Sequence, residues 1–224
     1  MDTGILYGVG VGPGDPELMT LKAVKTALEC DLIAVPRKDA AKCTALKIAL
    51  AAAPALAEKP LLPVDMPMTR DAAVLEESCR RVAALLEAEL TRGKRVCFLT
   101  LGDPTVYSTY LYLHRRVRAD GYPAVIIPGV TSFCAAAAAL DIPLCEGNQQ
   151  LHIIPGTYSP TEALGLPGVK VMMKNNLPAT LKALREANAT AAMVENCGME
   201  NQKIYKSLEE IPENAGYFSL LIVK

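Results

Sequence analysis

The sequence has no C-x-x-C pair, only two histidines, no excess of either charge, no apolar run long enough to cross a bilayer and no basic amino-terminal segment. Each absence removes a class of function. The cysteines, Cys30, Cys43, Cys79, Cys97, Cys134, Cys145 and Cys197, are odd in number and irregularly spaced, which disfavours a zinc site, a thioredoxin-like motif or a disulfide scaffold. They read as small buried apolar groups in a reducing compartment. His114 and His152 are not spaced as a metal pair on one helix, so no metal held by protein ligands is expected. Lys plus Arg number 23 against 24 Asp plus Glu, a net of -1, which gives no bulk reason to expect nucleic acid as the partner. Asp2 stands where a signal peptide has basic residues, and charges or prolines interrupt every apolar stretch before ~18 residues. The expectation is a cytoplasmic protein that does not engage a membrane.

What is present suffices for a core. The 224 residues are 51% hydrophobic and 21% charged, which suits one large domain or two small ones. Ile5 to Val9 is a short apolar strand running into glycines. Leu21, Val24 and Leu28 then recur at helical spacing behind Thr20 as N-cap. Leu32 to Val35 is a continuous apolar strand, followed by an alanine-rich helix around Cys43 to Ala53. Thr69 opens a longer helix striped by Leu75, Cys79, Val82 and Leu86, with Gly93 in the place of a C′ glycine. Val96 to Leu101 and Ala124 to Ile127 are further strands, divided by a helix that ends near Gly121.

Strands separated by helices of this length imply right-handed crossovers and a parallel sheet. Beyond Val130 strands predominate: Leu151 to Pro155, Val169 to Met173, Ala191 to Glu195 and Tyr217 to Val223, the last suited to a central position. The predicted fold class is α/β, with two α/β domains and a cleft between them. Residues 1–130 carry a parallel sheet and glycine loops, and residues 131–224 a mixed sheet.

Three loops, each after a strand, are candidates for chemistry. Gly8-Val9-Gly10-Val11-Gly12-Pro13-Gly14-Asp15 places four glycines at alternate positions, which admits a ligand or another backbone at close range. The dinucleotide fingerprint fails here, since Pro13 and Asp15 occupy its third glycine position, and no Gly-Lys pair completes a Walker loop. Leu101-Gly102-Asp103-Pro104 follows a buried strand. Asp103 either accepts hydrogen bonds from a ligand's hydroxyl or amino groups or N-caps the next helix with Pro104 at N1. In Pro128-Gly129-Val130-Thr131-Ser132, Thr131 is either a ligand contact or the N-cap of the helix from Phe133 to Leu140. Ligands of open α/β sheets bind at the carboxyl ends of the strands, where all three loops lie.

These motifs, in this order, resemble the tetrapyrrole methylase family, and the similarity continues through Val171-Met172-Met173-Lys174, Val194-Glu195-Asn196 and Tyr217-Phe218-Ser219-Leu220. Within the family, Tyr7 to Glu17 and Asn148 to Tyr158 most resemble the branch that methylates C-20 of precorrin-2 or cobalt-factor II in cobalamin biosynthesis. The resemblance implies an S-adenosylmethionine-dependent C-methyltransferase that releases S-adenosylhomocysteine and works as a homodimer. It implies cofactor contacts at Pro13, Leu101, Gly102, Asp103, Val106, Thr131, Ser132, Met173 and Gly198. The uroporphyrinogen branch has an acidic residue after its second strand; this chain has Pro36-Arg37, which argues against that substrate and leaves the catalytic base unassigned.

A reduced tetrapyrrole carries several carboxylates, so its pocket calls for Arg, Lys and loop amides. Gly12, Gly14, Asp15, Arg37 and Lys38 are the substrate-binding candidates, with Arg70 a weaker one. Two alternatives stay open at this point: a sister methylase acting at another ring carbon, on RNA or on a protein side chain, and a nucleotide-binding module without turnover.

Overall fold

The computed structural model describes residues 3–67, 69, 71–173 and 176–224. The chain divides into two compact units, Met1–Thr131 and Ser132–Lys224.

The first unit contains β1 (Ile5–Gly10), α1 (Leu21–Glu29), β2 (Leu32–Val35), α2 (Thr44–Ala52), β3 (Leu61–Pro63), α3 (Ala72–Thr91), β4 (Arg95–Thr100), α4 (Tyr110–Ala119) and β5 (Ala124–Ile127). The strands form one parallel sheet in the order β3-β2-β4-β1-β5. Val9, Ile33, Val35, Cys97 and Leu99 face α1 and α2, whereas Leu6, Leu32, Ala34, Val96 and Phe98 face α3 and α4. Both faces are covered, which is why β2 and β4 read as continuous apolar runs. Chain leaving β1 passes over one face and chain leaving β4 passes over the other. The carboxyl ends of these adjacent strands therefore mark the topological switch point of the sheet.

Two helix expectations need correction. α3 starts at Ala72, not at Thr69, because Asp71 Oδ1 accepts from the amides of Ala73 and Val74, while Thr69 Oγ1 accepts from the amide of Asp71. α1 is capped by Thr20 as expected, but it buries Ala23 and Ala27 and half-buries Val24 and Leu28; Leu21 is 90% exposed. At the first helical position Leu21 precedes the face that packs on the sheet.

The second unit holds α5 (Ser132–Leu140), β6 (Leu151–Pro155), α6 (Pro160–Leu164), β7 (Val169–Met173), α7 (Leu177–Glu186), β8 (Ala191–Glu195), β9 (Lys203–Tyr205) and β10 (Ser219–Val223). Its sheet runs β6-β7-β10-β8-β9 and is mixed: β6 and β7 are parallel, and β10 is antiparallel to both neighbours. β10 is central and four of its five residues are buried. Tyr217 and Phe218, expected within this strand, precede it and are exposed.

Candidate active site

At the switch point the chain leaving β1 meets the chain leaving β4. Gly12 and Gly102 exchange backbone hydrogen bonds, with Gly102 N donating to Gly12 O at 2.7 Å and Gly12 N to Gly102 O at 3.3 Å. Both glycines are left-handed, at φ +80° and +70°, a conformation that costs a side-chain-bearing residue about 1–2 kcal/mol. The third loop closes on the same point. A Cβ on Gly129 would lie 2.2 Å from Gly102 O and 2.9 Å from Gly10 C, and one on Gly10 would lie 2.6 Å from Gly102 O. Three strands from distant parts of the chain thus end in backbone packed on backbone, which only glycine permits.

Of the four alternating glycines in the first loop, two therefore serve packing. Gly10 admits the other loops, and Gly8 accommodates the buried Tyr110 ring, which a Cβ there would meet at 2.0 Å. The Tyr110 hydroxyl stands 3.1 Å from His114 Nδ1. Burial pushes the Tyr110 phenol above its usual range, and burial with the nearby Arg118 and Arg115 holds the His114 imidazole below its own.

Asp103 shows why a motif needs its tertiary partners. It does not N-cap the next helix, since α4 begins only at Tyr110. One carboxylate oxygen accepts from the Thr105 amide at 2.7 Å and from the Thr105 hydroxyl; the other accepts from the Gly129 amide at 2.9 Å. Thr20, besides capping α1, donates from Oγ1 to Pro128 O at 3.4 Å, so the third loop is held from a second side. The Thr131 hydroxyl does not cap α5; it is buried with no hydrogen-bond partner among the described residues, as is that of Thr100 at the end of β4.

The remaining candidates distribute as follows. Gly12, Pro13 and Gly14 are buried in the first loop, and Asp15 caps the short helical turn Pro16–Leu18 by accepting from the Glu17 amide. Leu101 and Val106 flank Asp103, with the Val106 amide donating to Asp103 O. Arg37 follows β2, exposed, and its guanidinium makes no ion pair among the described residues; Lys38 is held by Asp65 at 3.0 Å. Ser132, Met173 and Gly198 belong to the second unit, where Ser132 opens α5, Met173 ends β7 and Gly198 follows β8 with φ +76°. Arg70 and Lys174 lie outside the described residues.

Sequence reasoning named Glu195 within a family motif and gave it no role. It is buried at the end of β8 and accepts from the Gly216 amide at 2.7 Å, which secures the loop before β10. The signal was an acidic residue closing an otherwise apolar strand. Among the described residues, no group of three or more His, Cys, Asp or Glu is placed to hold a metal ion, and no helix is long and apolar enough to cross a membrane.

The model for tetrapyrrole (corrin/porphyrin) methylases matches residues 5–212. The chain belongs to this family. Among its methylase relatives, the precorrin-2 C(20)-methyltransferase of Sinorhizobium sp is 33% identical over 233 residues, covering 98% of this chain and 95% of the relative. The probable cobalt-precorrin-2 C(20)-methyltransferase of Methanocaldococcus jannaschii is likewise 33% identical, over 225 residues, with the same two coverages. A crystal structure of uroporphyrin-III C-methyltransferase from Thermus thermophilus superposes with a TM-score of 0.71 at 26% identity, covering 98% of this chain and 94% of that one. In this chain the first glycine loop is built around backbone contacts with two other loops.

Proposed function

We propose that this methylase transfers a methyl group from S-adenosylmethionine to C-20 of precorrin-2 or of its cobalt-bearing counterpart in cobalamin biosynthesis. The observation that carries the reading is the near full-length similarity to two C-20 methyltransferases, in a chain whose three glycine loops converge at the switch point. The residues fit the donor. The Thr131 hydroxyl is a buried polar atom without a partner among the described residues, and a polar cofactor would satisfy it.

Bound S-adenosylmethionine supplies a methyl group that is already electrophilic on its sulfonium. The chain's own task is therefore placement of the attacking meso carbon in line with that bond. We assign donor binding to Pro13, Leu101, Gly102, Val106, Thr131, Ser132, Met173 and Gly198. Asp103, implied with them by the motif, has its carboxylate engaged by Thr105 and Gly129. Gly12, Gly14, Asp15 and Arg37 face the substrate in this reading. Arg37 is the stronger cation for a propionate or acetate arm, because the Lys38 ammonium already has Asp65. The working form in this reading is a cytoplasmic homodimer without a nucleic-acid partner. The seven free cysteines support a reducing compartment.

The test is transfer of labelled methyl from S-adenosylmethionine into precorrin-2 and cobalt-factor II, assayed side by side. Label at C-20 of either supports the reading. Absence of transfer to both, or tight binding of NAD with no response to S-adenosylhomocysteine, refutes it.

A further inference from the structure

The carboxylate of Asp103 is engaged by the protein itself. The residue is 8% exposed, and three donors already converge on its two oxygens: the Thr105 amide, the Thr105 hydroxyl and the Gly129 amide. A carboxylate offers about four acceptor positions, so three are filled from within the first unit. The Gly129 bond is the informative one. It joins the loop after β4 to the loop after β5, 26 residues further along. It forms where Gly10, Gly102 and Gly129 are packed backbone to backbone. Two residues beyond Gly129 stands Thr131, whose buried hydroxyl has no partner among the described residues.

We propose that Asp103 is a positioning residue for methyl transfer: it pins Gly129 so that the Thr131 loop is held ready for the donor. This rests on the methyl-transfer reading and deepens it. Asp103 acts as a rivet between two ligand-facing loops. A charged acceptor suits that role, because bonds to ionised groups are about twice as strong as neutral ones. Pinning the loop before the ligand arrives removes its ordering from the cost of binding.

The experiment pairs two readouts on the full chain. Hydrogen exchange of the Gly129 amide is followed by NMR without cofactor, and S-adenosylhomocysteine is titrated by calorimetry. In Asp103→Ala the Gly129 amide loses protection and the S-adenosylhomocysteine Kd rises, both by about ten- to hundredfold. Asp103→Asn retains one acceptor oxygen and falls between alanine and wild type in both; it also serves should alanine fail to fold. Loss of affinity with Gly129 protection intact would show that Asp103 does not act through Gly129 and overturn the proposal. Lost protection with unchanged affinity overturns it as well. Wild-type protein that ignores S-adenosylhomocysteine refutes the methyl-transfer reading instead, and the exchange measurement still decides whether Asp103 holds Gly129.

Discussion

Replacing Gly129 by alanine adds one methyl group where three loops of the first unit meet backbone to backbone. The new Cβ would lie 2.2 Å from Gly102 O, 2.9 Å from Gly10 C and 3.0 Å from Gly10 Cα. All three are main-chain atoms and cannot rotate aside. Gly129 is not among the glycines of positive φ, so alanine's own torsions are satisfied and the cost is the collision. Overpacking of this kind costs about 1–3 kcal/mol. A shift large enough to relieve it stretches the Asp103–Gly129 bond, a hydrogen bond to a charged group that contributes about 1.5–3 kcal/mol. Together these predict a loss of about 2.5–6 kcal/mol, or a fall in apparent Tm of about 5–24 °C. Circular dichroism melting of Gly129→Ala measures it. Gly121→Ala is the control, since its Cβ meets nothing within 4 Å and only the left-handed φ of +92° is strained. That variant should lose about 1–2 kcal/mol. If Gly129→Ala melts no lower than Gly121→Ala, the three loops do not depend on backbone contact and the account of the site fails.

Arg37→Ala should raise the KM for the tetrapyrrole several-fold while leaving S-adenosylhomocysteine affinity unchanged, and lysine should restore only part, because an ammonium cannot form a bidentate pair with a carboxylate. Unaltered steady-state kinetics would show that this guanidinium meets no substrate arm. His114 is held below its ordinary pKa by burial, Arg118 and Arg115, so the unfolded chain binds the extra proton first. Stability contributed by neutral His114 is complete above about pH 6.5 and is lost as pH falls toward the lowered folded-state value. Melting profiles between pH 5 and pH 8 should accordingly be flatter for His114→Gln than for wild type, and parallel profiles would refute the assignment.

The strands of the parallel sheet were legible because burial on both faces writes itself as an uninterrupted apolar run, as in Leu32–Val35. β3 and β9 carried no such mark. Each is three residues long and lies at a sheet edge, and β3 ends in Pro63, so neither apolar alternation nor propensity could reveal them. The three-loop site was legible as a set of motifs, but the work of individual residues was not. Gly8 answers to Tyr110, Gly10 to Gly102 and Gly129, and Asp103 to Gly129. A local reading of Asp103 finds a cap or a ligand, because its decisive partner stands in another loop. Thr69 and Asp71 are both good capping residues, and only the geometry of the first turn distinguishes them.

The position of β10 sets a schedule for biosynthesis. Its two neighbours, β7 and β8, both leave the ribosome before it does, yet each pairs with β10 rather than with the other. Translation at ~5–20 residues per second keeps the slot between them vacant for seconds. During that interval two apolar strands display unpaired edges, the arrangement through which nascent chains associate with one another. The first unit has the same kind of vacancy for longer, since β4 fills the slot between β1 and β2 and both are made well before it. Slow decoding of the segment between β8 and β10 would prolong the vacancy and lower the yield of native protein, leaving the finished fold unchanged.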